Sequence, residues 1–176
     1  MSLLDPTLAR IQRYDAWLCL RMNRALRYAL VLHFFRAVSW LGNGIFWYAL
    51  MLALLVQHRA AAALPVLHMA FVGIVCTAAY QLLKRGTVRP RPYQALQGVA
   101  FGAVPLDRFS FPSGHTLHAV AFTIVAAAHY PGLVAPLAVF TALTAASRIV
   151  LGLHYPSDVL AGAALGGLVA AASLGI

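Results

Sequence analysis

Residues 134–174 read VAPLAVFTALTAASRIVLGLHYPSDVLAGAALGGLVAAASL, and this stretch decides the fold class. It contains two apolar runs, 134–151 and 158–174, each of about the length that a helix needs to cross a bilayer core of ~30 Å. A short polar turn joins the two runs. The stretch therefore predicts a transmembrane helical hairpin with its polar turn at one membrane edge.

The composition of the whole chain agrees with this prediction. Of its 176 residues, 62% are hydrophobic and only 10% are charged, and the mean hydropathy is +0.80. Because a soluble domain carries roughly a quarter charged residues, this chain has too few charges to cover a soluble surface. The composition excludes a disordered protein, a coiled coil and a small disulfide scaffold. It predicts an all-α polytopic transmembrane helix bundle.

Three further apolar runs, 38–56, 60–83 and 113–130, bring the predicted count to five spans. The stretch 28–41 is apolar but short and contains Arg36, so we expect it to be interfacial or re-entrant; if it crosses, the count is six. Because spans alternate in direction, the end of span two, the start of span three and both ends of the turn at 152–157 face the same side.

Residues 8–30 have the pattern of an amphipathic helix. Five arginines would make a spanning helix costly, at about 3 kcal/mol each near the centre of a bilayer. We therefore predict an interfacial helix, with a soluble-side helix packed on the bundle as the alternative. The predicted division is a basic segment at 1–37 and a membrane domain at 38–176. The apolar face is Ile11, Tyr14, Leu18, Met22, Ala25, Leu26 and Ala29, and the opposite face is Arg10, Arg13, Arg21, Arg24 and Arg27.

The formal net charge is +9, from 13 basic and four acidic residues. In so apolar a chain, this charge indicates anionic lipid head groups or a phosphorylated substrate rather than nucleic acid. Cys19 and Cys76 lie in apolar stretches and are predicted to be packing residues without a metal. The pattern carries no signal of oligomeric state.

A first polar cluster ends the second span: Lys84, Arg85, Arg89 and Arg91, the last two each followed by proline. Cations so close together repel one another unless an anion neutralises them. A phosphate site and a lipid head-group anchor both fit this cluster.

A second cluster, Ser113, Gly114 and His115, begins the third span. Ser113 is a candidate N-cap, and a helix N-terminus binds anions through its free N–H groups. His118 lies on about the same helix face as His115, and we expect it to have a packing role rather than a supporting role in the site.

A third cluster is Arg148, His154 and Asp158 around the turn between the last two spans. A carboxylate near a histidine can hold Nδ1 and leave Nε2 free as a nucleophile, and a guanidinium suits phosphate oxygens. Ionisable groups at membrane segments are costly, which favours a functional reading. The three clusters together indicate phosphoryl transfer without a metal or another cofactor.

These clusters resemble the three-part signature of the type 2 phosphatidic acid phosphatase (PAP2) superfamily, over about residues 40–175. The resemblance implies that His154 attacks phosphorus, oriented by Asp158, and that His115 protonates the leaving oxygen. It also implies a metal-independent reaction. The matching parts are Lys84-x6-Arg91-Pro92, Pro112-Ser113-Gly114-His115 and Ser147-Arg148-x5-His154-x3-Asp158, and by this resemblance Lys84, Arg91, Ser113, Gly114 and Arg148 hold the phosphate.

The hydropathy places the chain with the membrane lipid phosphatases of that superfamily. The expected substrates are undecaprenyl diphosphate, phosphatidylglycerophosphate or phosphatidate, in a bacterial inner membrane. A lipid phosphotransferase and a non-catalytic lipid-binding protein are the alternatives. A haloperoxidase, known from the same superfamily, is disfavoured because the chain lacks a water-soluble surface.

The charges also predict which side the site faces. With five spans, the N-terminus lies on the side of the polar clusters, and only Arg59 lies on the opposite side. After Lys84, Arg91 and Arg148 are set aside as site residues, nine basic residues stand against one. Since short loops rich in Lys and Arg stay in the cytoplasm, we predict a cytoplasmic site, with a periplasmic one as the alternative.

Overall fold

The computed structural model describes residues 6–175, and this part of the chain is helical without any strand. The all-α prediction is therefore confirmed. Residues 1–5 and 176, which belong to the two predicted segments, lie outside the described residues. The helices are α1 Pro6–Asn23, α2 Ala29–Trp40, α3 Phe46–His58, α4 Ala63–Arg85, α5 Pro92–Ala95, α6 Gly114–His129, α7 Val134–Val150 and α8 Pro156–Leu174.

Within the described residues, three helical stretches are long and apolar enough to cross a membrane: Ala29–Arg85, Pro131–Val150 and Pro156–Leu174. The first has 57 residues, roughly 85 Å at ~1.5 Å per residue, which is far too long for one crossing. It reverses at Arg59, where α3 ends with a φ of 51°. Helix α6 has 16 residues, fewer than the ~20 that a crossing needs. The count of five or six spans therefore stays a prediction.

The first predicted span, 38–56, is interrupted in the structure. A π-helical segment, Leu41–Ile45, separates α2 from α3, and the backbone leaves helical geometry at Asn43 and Gly44. Gly44 has a φ of 106°, which glycine adopts without the strain that a Cβ would impose. The apolar run predicted a span over 38–56 but did not predict this break at the local sequence Gly-Asn-Gly.

Helices α2 and α3 run in one direction along α7 despite this break. Ser39, near the end of α2, contacts Arg148 near the end of α7. Phe46, at the start of α3, stacks on Phe140, with ring centroids 3.8 Å apart. The segment 28–41 therefore leads into α3, which favours the reading that it does not cross by itself.

Helices α6 and α8 form the closest helix pair of the site. Gly162 and Gly166 on α8 face the backbone of α6 at Ser113 and Leu117, and a Cβ at either glycine would collide with a carbonyl oxygen. Small residues at this spacing let two membrane helices approach until their backbones touch. As a result, the Ser113 N–H donates to the Asp158 carbonyl at 3.1 Å, which joins the second and third polar clusters directly.

The apolar core lies between α3, α4, α6 and α7, where Trp47, Met69 and Leu117 are almost completely buried. Cys19 and Cys76 are buried free thiols, in agreement with the packing role expected for them. Burial raises the pKa of Cys19 to about 12, so this thiol is unreactive at neutral pH.

The fully buried stripe of helix α1 lies beside its predicted apolar face, from which Met22 also packs partly on the bundle. Its buried residues are Asp15, Cys19 and Asn23, four residues apart on one side of the helix. Ile11 and Tyr14, from the predicted apolar face, are exposed. The packed face therefore matches the alternative of a helix docked on the bundle, while the exposed apolar face stays available to lipid. The interfacial position of 1–37 stays a prediction.

Candidate active site

Most of the site residues expected from the sequence line one cavity of about 640 Å³. Ser113 and Asp158 do not line it; both are completely buried behind its wall. The cavity therefore brings together residues from the end of α4, the start of α6 and the α7–α8 turn. The lining residues from the predicted set are Lys84, Arg91, Gly114, His115, Arg148 and His154.

His154 lies in the turn between α7 and α8 with its two ring nitrogens in different surroundings. Nδ1 is 2.5 Å from the carbonyl oxygen of Ser110. Because a carbonyl only accepts, Nδ1 carries the proton and Nε2 keeps its lone pair. Nε2 is 3.2 Å from Nη1 of Arg91, on the side of the cavity. The imidazole is therefore held in the tautomer that a nucleophile needs.

The surroundings also keep this imidazole neutral. His154 is 2% exposed. Burial, and after it the positive charges of Arg148 and Arg91, hold the pKa of His154 well below its usual range. The ring is therefore unprotonated at neutral pH, as attack by Nε2 requires.

Asp158 is not the main hydrogen-bond partner of His154. Its Oδ2 lies 3.8 Å from Nδ1 of His154 and accepts instead from the Tyr155 backbone N–H at 2.8 Å. Its Oδ1 accepts from Arg89 at 2.6 Å. The hydrogen-bond position expected for Asp158 is occupied by the Ser110 carbonyl, because the loop before α6 folds back over His154. At 3.8 Å, the Asp158 carboxylate is close enough to His154 for its charge to be felt by the imidazole.

Two of the expected phosphate-binding cations share an acidic partner that the sequence did not single out. Asp107 forms ion pairs with Lys84 and with Arg91, the latter at 2.8 Å. Arg91 also donates to the Leu153 carbonyl at 2.7 Å, which fixes it beside His154. The paired cations therefore stay in place, and a phosphate would compete with Asp107 for them.

Arg148 is held by a contact from α2. Its Nη1 donates to the Ser39 hydroxyl at 2.5 Å, and the guanidinium is 2% exposed. Within the described residues, its Nε has no hydrogen-bond partner. A buried guanidinium with unused donors at the wall of a cavity is suited to an anion.

The start of α6 supplies the third side of the cavity. Ser113 stands at the N-cap position, but its hydroxyl contacts the Thr116 hydroxyl at 3.0 Å rather than a backbone N–H. A Cβ at Gly114 would be 3.4 Å from the Tyr80 ring, so a larger residue would crowd the cavity wall. His118 bonds to the Gly114 carbonyl at 2.8 Å and to Thr77 at 3.0 Å, and it also lines the cavity, so its expected packing role stays a prediction.

The rest of the cavity is largely apolar and reaches the outer surface of the bundle. Met51 and Phe122 line its inner part. Tyr48 on α3 and Ile74 on α4 also line it, and they are 71% and 69% exposed. The cavity therefore opens sideways between α3 and α4, where lipid would surround a spanning bundle.

A comparison with known families agrees with the signature and the helical site. A family model described as the PAP2 superfamily matches residues 61–176. The chain belongs to the PAP2 superfamily.

Two solved PAP2-type folds resemble it over most of its length. A transmembrane PAP2-type phosphatidylglycerolphosphate phosphatase from Bacillus subtilis has a TM-score of 0.76 and 25% identity, covering 94% of this chain and 85% of that one. Aquifex aeolicus LpxE has a TM-score of 0.73 and 27% identity, covering 92% and 95%.

Two curated bacterial proteins resemble part of this PAP2 chain. A lipid A 1-phosphatase of Rhizobium etli is 36% identical over 90 residues, which are 49% of this chain and 39% of that one. A decaprenylphosphoryl-5-phosphoribose phosphatase of Mycobacterium tuberculosis is 38% identical over 90 residues, 51% and 49% of the two chains. The chain thus spans less than half the length of these curated relatives. The membrane-spanning helices and these relatives indicate a bacterial membrane protein.

Sequence reasoning missed three residues that hold the site together: Ser39, Asp107 and Ser110. Ser39 was a polar residue in the apolar run before the α2–α3 break, and Asp107 was one of only four acids in the chain. Each of these two residues is of a type that is uncommon in its part of the sequence, and this is the signal that could have identified it. Ser110 acts through its backbone carbonyl, for which a sequence carries no signal.

Proposed function

We propose that this PAP2 protein hydrolyses a lipid phosphate or diphosphate without a metal, through a phosphohistidine at His154. The observation that carries the proposal is one continuous cavity with two different ends. One end holds the Nε2 lone pair among Lys84, Arg91 and Arg148, and the other is apolar and open to lipid. This arrangement suits a substrate with an anionic head group and a hydrocarbon tail. Several relatives are phosphatases that act on lipid phosphates, which supports the proposal.

In the first step, His154 Nε2 attacks phosphorus and forms an N–P bond. The bond from phosphorus to the leaving oxygen breaks; this is the lipid oxygen of a monophosphate or the bridging oxygen of a diphosphate. His115, charged as the imidazolium when the anionic head group is bound, gives its proton to that oxygen. The cations neutralise charge on the phosphoryl oxygens, which is the stabilisation that a metal provides in other phosphatases. Asp158, 3.8 Å from Nδ1, stabilises the positive charge that the imidazole gains when it carries the phosphoryl group.

In the second step, water attacks the phosphohistidine and the N–P bond breaks. His115 takes the proton that water loses, so it acts first as an acid and then as a base. The products are inorganic phosphate and the lipid alcohol, or the lipid monophosphate when the substrate is a diphosphate, and the imidazole of His154 returns to its neutral form. A lipid hydroxyl in place of water would make the protein a phosphotransferase.

The test is phosphate release by purified protein from phosphatidate, phosphatidylglycerophosphate and undecaprenyl diphosphate, each in excess EDTA. We expect release from at least one of them and none from His154→Ala. His33→Ala is the matched control, because His33 is an exposed histidine on α2 that does not line the cavity. Appearance of a new phosphorylated lipid would show transfer instead of hydrolysis. Full activity of His154→Ala would overturn the assigned nucleophile.

We further propose that the site faces the cytoplasm. The contacts of α1 with the α7–α8 turn put the N-terminal arginines at the same end as the site. This grouping supports the cytoplasmic orientation predicted from the sequence, since basic segments near membrane spans stay in the cytoplasm.

Cysteine labelling in intact cells tests this orientation, on a background lacking Cys19 and Cys76. Val104→Cys probes the loop over the site, where Val104 is 83% exposed. Gly132→Cys probes the opposite end, where a side chain would meet no atom within 4 Å. An impermeant maleimide should react with the Gly132→Cys protein before lysis and with the Val104→Cys protein only after it. The reverse pattern would show a periplasmic site.

A further inference from the structure

Helix α1 places an acidic side chain beneath the catalytic turn, although it lies outside the three-part signature. Asp15 is 3% exposed. Its Oδ1 accepts from the Ser157 backbone N–H at 2.9 Å, and its Oδ2 accepts from the Ser157 hydroxyl at 2.5 Å. A buried carboxylate is costly unless it is paired, so these contacts call for a cationic partner as well.

That partner is Arg89, which spans two carboxylates. Its Nη2 donates to Asp15 at 2.7 Å, and its Nη1 donates to Asp158 at 2.6 Å. The guanidinium also lies over the Tyr155 ring, 4.0 Å from its centroid. The planar fork of an arginine can make both ionic contacts at once, which a lysine ammonium cannot do with the same geometry.

Asp158 is therefore held from both of its oxygens. Arg89 fixes Oδ1, while Oδ2 remains between the Tyr155 N–H and Nδ1 of His154. Because Asp158 makes no short hydrogen bond to His154, its effect on the imidazole depends on where its charge is placed. A rotation of this carboxylate would change the stabilisation of a charged phosphohistidine without changing the phosphate-binding cations.

We propose that Asp15 and Arg89 are positioning residues for catalysis, which fix the Asp158 carboxylate beside His154 from helix α1. This inference rests on the proposed phosphohistidine mechanism. Asp15 holds one arm of the Arg89 fork, while Asp158 holds the other arm. Because the Arg89 side chain is 27% exposed, loss of the Asp15 contact would let the fork shift toward solvent and move Asp158 with it. Helix α1 thus contributes to the arrangement of the catalytic residues as well as packing on the bundle.

Asn23 offers a comparison on the same helix. Its side chain bonds to the Val150 carbonyl at 2.9 Å and to both backbone groups of Ala100, at 2.9 and 2.7 Å. It docks α1 on the bundle as Asp15 does, but it has no ionic link to Asp158. If α1 has only a structural role, loss of Asp15 and loss of Asn23 should affect kcat per active site equally. If Asp15 positions Asp158, only the loss of Asp15 should lower it.

The experiment compares Asp15→Asn with Asn23→Ala in full-length protein, using the best lipid substrate of the panel and counting active sites by trapped phosphoenzyme. We expect Asp15→Asn to lower kcat per active site about tenfold, equivalent to about 1.4 kcal/mol in the barrier. KM should change less than about threefold, because the phosphate cations are untouched. Asn23→Ala should lower the melting temperature while its kcat per active site stays near that of the wild type.

A second variant, Arg89→Lys, keeps the test decisive if Asp15→Asn does not fold. It preserves the charge but not the fork, so kcat should again fall at nearly constant KM. Where Asp15→Asn does fold, adding it to Arg89→Lys should cost much less than it costs alone, since the two residues act in series.

Unchanged kcat per active site in Asp15→Asn or in Arg89→Lys would overturn the inference. So would equal losses of kcat in Asp15→Asn and Asn23→Ala. These results would leave the proposed function intact, since that depends on the loss of activity in His154→Ala.

Discussion

The Ser39–Arg148 contact allows a specific prediction about phosphate binding. Ser39→Ala removes the hydroxyl that accepts from Arg148 Nη1 at 2.5 Å. The guanidinium is 2% exposed, so water has little access to replace this acceptor. Arg148 would lose the contact that orients its fork toward the cavity.

The expected size of the effect follows from the charge and the burial of this contact. A hydrogen bond to a charged group is worth about 1.5–3 kcal/mol, or a factor of about 10 to 150 if all of it is lost from the transition state. The bound phosphate would re-order Arg148 and recover part of that loss. We therefore expect kcat/KM to fall about tenfold, mainly through a higher KM.

The assay is steady-state hydrolysis by purified variants at matched folded fraction. Ser39→Thr and Ser39→Val form the control pair, because their side chains have nearly the same volume and only threonine retains the hydroxyl. Threonine should keep most of the activity, and valine should resemble alanine.

A double-mutant cycle with Arg148→Gln tests the reasoning directly. Ser39→Ala should cost little in that background, because its proposed partner is already gone. An equal cost in both backgrounds, or full activity of Ser39→Ala, would refute the role assigned to this contact.

Four further predictions concern chemistry and packing. His115→Ala should slow turnover by about 10²–10⁴, the usual contribution of one general acid; a loss below tenfold would remove it from that role. Activity should persist in excess EDTA and be inhibited by vanadate, which can take a five-coordinate geometry on His154; loss of activity that Mg²⁺ restores would contradict the mechanism. Because the pKa of His154 is held below its usual range, its neutral form persists to lower pH. The acid side of the kcat/KM profile reports this titration, so its midpoint should lie below pH 6.5. A midpoint at or above pH 6.5 would refute attack by a neutral His154. Gly166→Ala should destabilise the protein by at least about 1–3 kcal/mol through overpacking, whereas Gly167→Ala, whose Cβ would lie 4.0 Å from its neighbours, should not; equal melting temperatures would contradict the close contact of α6 and α8.

The sequence predicted the helical class and the meeting of the three clusters because both depend on simple periodicities. Long apolar runs define the helices, and their alternation brings Lys84, His115 and His154 to one end. The break at Gly44 was missed because a hydropathy window averages over the residues that leave helical geometry.

The finer arrangement of the site could not be predicted for a different reason. The acceptor at His154 Nδ1 is the carbonyl of Ser110, which any residue at that position could provide. The docking of α1 through Asp15 and Asn23 was also missed, because these polar residues interrupt the wheel pattern that located the apolar face. Such contacts depend on the path of loops, for which local propensity carries little information.

The close contact of α6 with α8 has a consequence for how such enzymes diverge. Substitution of Gly162 or Gly166 would separate Ser113 from Asp158, so we expect changes there to damage the proposed chemistry and to be removed by selection. Met51 on α3 and Ile74 on α4 line the apolar part of the cavity, where the tail of the proposed substrate would lie. Side chains on α3 and α4 can therefore change in size over evolutionary time while the reaction is preserved, and a single catalytic design can be adapted to lipids of different shape.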